Sequence, residues 1–432
     1  MPHEVPSYTS QATFQANIFQ PARINAVYYP NYRAREVLTP ATLDFRYINF
    51  VFYAFANVNA DGSVTLSDEE VDVRMPIDGT NGCIHSFMRL KKQYNYLNVI
   101  LSIGGGNGSG NFASVASNDA TRDNFARSAK GLVEKFEFDG IDIDWEHPEN
   151  AKQGDDFILL LKAIRKQLPL PRYYVTAALP AGEWALQHIN VKESQSYLNL
   201  INLMAYDFFF KIEQGSGYHS QLFSNNPDEN SIDKAVHYLM SKGFPLSKVL
   251  LGIPAYGRSF LGAAGPGQTF TGTGGNDGVF VYKTLPRPNT TECVDRRHIS
   301  AYCVGGDGGF VSYDNPDTVK FKANYCNAFG LAYSKGTIYE AVAEGMAELT
   351  KHKKDLGKTM VQTFTYFKEP YEQIPFQEPY YKYEIRGLIP PLDMYQQRDY
   401  VVFTENGQLA QVYYLVLSPP LQDWYTKEWF WR

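Results

Sequence analysis

The chain alternates near-continuous apolar runs with longer segments of helical periodicity. The apolar runs are INAVYYPNY (24–32), YINFVFYAFANV (47–58), NVILSIGGG (98–106), GIDIDWE (140–146), YYVTAALPAG (173–182), LINLMAYDF (200–208) and KVLLGIPAYGRSF (248–260). Each ends in polar or Gly-rich residues, as parallel strands covered on both faces do. Between them, DNFARSAKGLVEKFEF (123–138) and DDFILLLKAIRKQL (155–168) space their apolar residues as amphipathic helices. Repeated strand–helix alternation on this scale predicts an α/β fold, a (β/α)8 TIM barrel spanning residues 24–357. A closing helix is expected over 340–357, where basic residues gather in the last turns as the helix dipole favours.

Three segments break the alternation. Residues 1–23 are polar with scattered Pro and read as an N-terminal tail. Residues 261–313 are rich in Gly and polar residues, with short β-like pieces such as GVFVYKTL. That is too long for an ordinary barrel loop, so a small α+β insertion forming one wall of a cleft is expected. Residues 358–432 are an extension dense in Tyr, Phe and Pro, with a hairpin expected at 399–417 about Asn406-Gly407. Its end carries Trp424, Tyr425, Trp429 and Trp431. It reads either as a small carbohydrate-binding module or as a strap over the barrel.

The run 139–146 is the densest in chemistry. Asp139, Asp142, Asp144 and Glu146 are interleaved with Ile141, Ile143 and Trp145. In a strand, side chains alternate between faces. Asp142, Asp144 and Glu146 then share one face and the apolar residues the other. A solvated acidic run would not carry Ile, Ile and Trp between its charges, so the strand belongs inside, with its acids at the C-terminal end where barrels place their chemistry. Crowded carboxyls cannot all ionise freely, which leaves one protonated near neutrality. Glycosidic bond cleavage needs such a set. A calcium or magnesium site is a second reading, although the calcium-loop pattern places its ligands in a Gly-containing loop. A buried hydrogen-bond network is a third, at a cost of several kcal/mol for each unpaired acid.

Composition narrows the partners. A net charge of -6 argues against nucleic acid, and no apolar run reaches the ~18–20 residues of a membrane span. The start, MPHEVPSYTSQATFQANIFQ, lacks a basic region followed by an apolar one, so no secretory signal is visible. This leaves an intracellular site, another export route, or a start missing from the sequence. Cys83, Cys293, Cys303 and Cys326 are too few for a disulfide scaffold, and none forms a C-x-x-C pair. Cys293 and Cys303 could bridge in an oxidising compartment. The glycines 104–106 lack the rest of a phosphate-binding loop and read as places of close backbone approach. His147 reads as a structural hydrogen-bonder. No metal or cofactor is expected.

Over roughly residues 24–340 the chain resembles family 18 glycoside hydrolases, the chitinases. DGIDIDWE (139–146) matches the family's D-x-x-D-x-D-x-E signature; SIGG (102–105), MAYD (204–207) and PAYGRSF (254–260) resemble its motifs on strands three, six and seven, in order. The resemblance implies hydrolysis of β-1,4-linked N-acetylglucosamine in chitin or chitooligosaccharides, by a monomer, with retention and with the substrate's acetamide as nucleophile. It implies that Glu146 protonates the glycosidic oxygen and Asp144 orients the acetamide. Asp142 would share a proton behind Asp144, and Tyr206 would bond the acetamide oxygen. Tyr28, Asp139, Met204, Asp207, Tyr256 and Arg258 would contribute to substrate binding. The family's eighth strand usually ends in a Trp beneath the sugar. KGTIYEA (335–341) puts Tyr339 there. A catalytically weak chitin-binding lectin and an endoglycosidase acting on N-glycans are the alternatives on the same fold.

Overall fold

The computed structural model describes residues 24–36, 38–329, 331, 362–365, 397–403 and 409–415. The chain divides into two units, residues 1–368 and 369–432.

In the first unit, β1 (Asn25–Pro30), β2 (Phe50–Val58), β4 (Asn98–Gly104), β5 (Gly140–Asp144), β6 (Tyr174–Pro180), β7 (Leu200–Met204) and β8 (Val249–Ile253) pair in parallel, each with the next. The short β3 (Val64–Leu66) folds back on β2. The ring is closed by β14 (Gln362–Thr365), which pairs with both β1 and β8 and runs antiparallel to them. The barrel is therefore present as expected, with its seam made by a reversed strand. The eighth strand expected at 335–341, with Tyr339, and the helix expected at 340–357 lie outside the described residues, as does the 1–23 tail.

Alternation decides which residues fill the barrel and which meet the helices. Ala26, Tyr28, Phe50, Phe52, Ala54, Ile100, Leu200 and Leu250 cluster on the inner face. Their neighbours Val27, Val51, Tyr53, Val99, Leu101, Ile141, Ile143, Ile201 and Leu251 join the outer layer with the helices. Helices α1 (Gly82–Gln93), α2 (Asp119–Phe136), α3 (Ala151–Gln167) and α4 (Ile232–Ser241) pack there. α2 and α3 start earlier than the apolar periodicity suggests, because Asn118 and Asn150 cap them. The Asn118 side chain accepts from the N–H groups of Ala120 and Thr121, and Asn150 from that of Gln153.

The expected seventh strand splits in two. Val249–Ile253 stays in the barrel; β9 (Tyr256–Phe260) leaves it for a second sheet. Pro254 lies between them and has no N–H to continue the ladder. β9 sits between β10 (Val279–Val281) and β13 (Phe310–Tyr313). β12 (Ser300–Val304) and β11 (Cys293–Asp295) follow in the order β10-β9-β13-β12-β11, all antiparallel. The insertion thus begins at the residues that carry Tyr256 and Arg258. α5 (Pro316–Ala328) follows it. It is tied back through Lys322, whose fully buried ammonium lies 2.5 Å from Asp314 and also donates to the Ser220 carbonyl.

The proposed Cys293–Cys303 bridge is ruled out by register. Cys293 faces Tyr302, so Cys303, one residue along β12, points to the other side of the sheet. All four cysteines are free. The second unit contains the expected hairpin: β15 (Gln397–Phe403) pairs antiparallel with β16 (Leu409–Leu415). No helix among the described residues is long and apolar enough to cross a membrane.

Candidate active site

The alternation expected for 140–146 is present. Ile141, Ile143 and Trp145 are buried in the outer core, where Trp145 stacks on Phe112 at 5.6 Å. Asp142 and Asp144 are buried on the opposite phase of the strand, and Glu146 lies just past its end and is exposed.

Asp142 is fully buried and its carboxylate is saturated. Oδ2 accepts from the Tyr28 hydroxyl at 2.8 Å and from Ser102 at 2.8 Å. Oδ1 accepts from Thr176 at 2.6 Å and from Asn202 at 3.1 Å. Asn202 also donates to the Tyr28 oxygen at 2.7 Å. Burial raises the Asp142 pKa and these donors pull it back. With four bonds on two oxygens, the lone pairs are in use. The expected sharing of a proton with Asp144 would require displacing one donor, and a metal ion would find no free oxygen here.

Asp144 is the opposite case. It is buried, and its Oδ1 has no hydrogen-bond partner. Burial first, then the charges of Glu146 and Asp142, push its pKa well above the usual carboxylate range. Glu146 is raised too, by the protein crowded around its carboxyl and then by the charge of Asp207, against a bond from the Gly106 N–H. The Glu146 N–H donates to Ser109 Oγ at 2.9 Å, and Ser109 donates onward to the carbonyl of Gly105. Gly104 and Gly105 give the close approach expected of them. Both have positive φ, and a Cβ at Gly104 would stand 2.3 Å from the Asp144 carbonyl oxygen.

Asp207 follows β7. The Arg258 guanidinium on β9 grips it at 2.8 and 2.7 Å, and His219 Nδ1 lies 3.3 Å from Oδ1. Burial alone would raise the Asp207 pKa, but these partners hold it far below the usual range. The same bonds keep the Arg258 pKa above its ordinary value despite burial. Tyr206 packs edge-on against Tyr256 at 6.1 Å. Burial, then the charges of Asp144, Asp207, Glu146 and Asp142, hold its phenol protonated. Met204, half-buried, ends β7.

Asp139, expected among the substrate-binding residues, lies elsewhere. It precedes β5 at the opposite end from Glu146, accepts from the Val99 N–H at 2.7 Å and pairs with Lys91 at 2.7 Å. It fastens the start of β4 to that of β5. Thr176, Asn202 and His219 lie outside the motifs, and Ser102, first residue of SIGG, had no role assigned to it; Ser102, Thr176 and Asn202 bond Asp142, and His219 faces Asp207. Ser102, Thr176 and Asn202 share one signal, a polar residue at an inward position of an otherwise apolar strand. His219 has no such pattern around it.

The sequence profile of glycosyl hydrolases family 18 matches residues 24–333. Among similar proteins, Endochitinase 1 of Metarhizium robertsii is 34% identical over 347 residues, covering 74% of this chain and 81% of that protein. Sporulation-specific chitinase 2 of Saccharomyces cerevisiae is 28% identical, covering 75% of each. Among solved structures, an immunomodulatory active chitinase from Trichuris suis superposes with a TM-score of 0.64 at 25% identity, over 71% of this chain and 89% of its own. A family 18 chitinase of Cycas revoluta in complex with (GlcNAc)3 shares the fold, with a TM-score of 0.64 at 24% identity over 76% of this chain and 99% of its own.

Proposed function

This chain belongs to the family 18 glycosyl hydrolases, and on that premise we propose that it is a chitinase. It would cut β-1,4-linked N-acetylglucosamine in chitin or chitooligosaccharides by substrate-assisted, retaining catalysis. The observation that carries this reading is the buried Asp144 carboxyl, its Oδ1 unpartnered, set between a saturated Asp142 and a Glu146 whose proton is held to raised pH. The endochitinase name of its Metarhizium relative supports the substrate class.

Glu146 gives its proton to the glycosidic oxygen as the bond to the anomeric carbon breaks. The acetamide oxygen of the same sugar attacks that carbon from the other face and forms an oxazolinium ion. Asp144 Oδ1 accepts the acetamide N–H, and its charge balances the cation that develops. The Tyr206 hydroxyl donates to the acetamide oxygen and fixes its line of attack, so that an encounter becomes an intramolecular step. Glu146, now ionised, takes a proton from the water that opens the ring. Asp142 is the fixed charge behind Asp144, with Tyr28 among its four donors. Asp207, Tyr256, Arg258 and Met204 line the wall around the sugar.

The test is Glu146→Gln. Turnover of chitooligosaccharides should fall about a thousandfold, as loss of a general acid does, while binding of the same oligomers persists. Undiminished turnover would refute the assignment.

A further inference from the structure

We propose that Trp184 is the stacking platform for the sugar on the leaving-group side of the cleaved bond. This rests on the chitinase reading above and extends it to a residue that none of the family motifs includes. Among the described residues Trp184 is the exposed tryptophan, at 57%. It follows β6 in the turn Glu183–Leu186. Its ring is seated rather than loose. A Cβ at Gly182 would stand 2.2 Å from the indole Nε1 and 2.5 Å from Cδ1, so the ring lies over backbone that only glycine leaves clear. The His147 imidazole meets it edge-on, with centroids 5.0 Å apart at 78°.

His147 is the residue after Glu146, and this fixes where the platform stands. β5 runs outward from Asp144, which takes the donor sugar's acetamide, through Glu146, which protonates the bond. Next along the chain are His147 and the indole beside it. Glu146 and the indole thus share His147 as a neighbour, one along the chain and the other through the ring contact, and on this proposal the sugar released across Glu146 goes toward Trp184. Burial lowers the His147 pKa, which keeps the imidazole neutral. It props the indole without competing for Glu146's proton. Gly182 lies against the Nε1–Cδ1 side of the indole, and the exposed area offers an apolar surface for the C–H face of a pyranose. Tyr32 and Phe210 are exposed too, but cations of Arg33 and Lys211 sit over their rings.

The experiment compares the full chain with Trp184→Ala, Trp184→Phe and Gly182→Ala on N-acetylglucosamine tetramer and hexamer, following kcat, KM and product lengths. Trp184→Ala should raise KM for the hexamer about tenfold, about 1.4 kcal/mol of lost binding, with a smaller change in kcat and a shifted cleavage position. Trp184→Phe should recover part of the loss. Gly182→Ala, which unseats the indole while keeping it, should reproduce the rise. An unchanged hexamer KM and product pattern in Trp184→Ala would overturn the platform and leave the chitinase reading standing. Equal losses of kcat on both substrates, with a lowered melting temperature, would overturn it in favour of a structural role. No cleavage by the unsubstituted chain would overturn the chitinase reading and the platform together.

Discussion

The Arg258 guanidinium holds both oxygens of Asp207, Nε to Oδ1 at 2.8 Å and Nη2 to Oδ2 at 2.7 Å, and so ties the insertion sheet to the barrel beside the acid strand. This fork–fork geometry is among the stronger ion pairs. It keeps Asp207 ionised, and that charge is one reason the Glu146 pKa is raised. For a general acid the sign is clear. A neighbouring negative charge disfavours ionised Glu146 and extends its protonated form to higher pH. Asp207→Asn should therefore move the alkaline limb of kcat/KM toward acid, by about one pH unit for the loss of a close charge. A pH–rate profile on a short chitooligosaccharide checks this. A limb that stays in place would mean that burial alone sets the Glu146 proton.

Asp144 pays for its position in stability. A carboxyl whose folded pKa lies above its unfolded value contributes stability below the unfolded pKa, about 3.9 for Asp, that is lost as pH rises toward the folded one. At neutral pH, ionising Asp144 costs the folded chain more than the unfolded one, because its carboxyl is buried beside Glu146 and Asp142. Asp144→Asn removes that penalty at nearly constant shape. Its melting temperature at pH 7 should exceed that of the unsubstituted chain by about 2 °C, and the difference should shrink toward pH 4. Turnover should fall about a hundredfold or more, since the acceptor for the acetamide is lost. Calorimetry at the two pH values, beside an activity assay, separates the effects.

The donors around Asp142 make a third prediction. Thr176→Val keeps volume but takes one of the two donors from Oδ1, and Asn202→Ala takes the other along with the bond to Tyr28. Each lost hydrogen bond to a buried charge costs about 1.5–3 kcal/mol. The double variant should lose less than the sum of the singles, because both donors serve one oxygen and their effects couple. Denaturant titration of the singles and the double measures that coupling directly. Strict additivity would mean that the two act independently.

The strands from Asn25 to Ile253 were legible because burial on both faces leaves near-continuous apolar runs, and the acid strand because alternation forces Asp142 and Asp144 to one side. The break at Pro254 carried its own signal, a missing N–H, which the apolar run through Phe260 masked. The closing strand was not legible. Gln362–Thr365 has four residues and runs against its neighbours, so neither length nor periodicity marks it out. Single residues that act by contact are the hardest to foresee. Trp184 is fixed by the absence of a side chain at Gly182, and His219 by burial that local sequence does not encode.

His219 also yields the last prediction. It is fully buried and its Nε2 has no partner, while Nδ1 lies 3.3 Å from Asp207 Oδ1. The groups around it are Asp207, Arg258, the Tyr256 ring at 5.2 Å, the Ser312 hydroxyl accepting its backbone N–H, and the charge of Asp314. Burial outweighs the carboxylates and lowers its pKa, so the ring is neutral and Nδ1–H donates to Asp207. A histidine with a depressed folded pKa contributes stability above the unfolded value, near 6.5, that is lost as pH falls through that value toward the folded one. His219→Phe fills the same space without a proton site. At pH 7.5 it should be less stable than the unsubstituted chain by about 1 kcal/mol, for the lost hydrogen bond. That gap should narrow as pH falls below about 6.5, because only the unsubstituted chain must keep a buried imidazole neutral against acid. Thermal melts from pH 7.5 to pH 4.5 measure the convergence. A gap that widens with acid would mean that the buried ring takes up its proton and pairs with Asp207 as a cation.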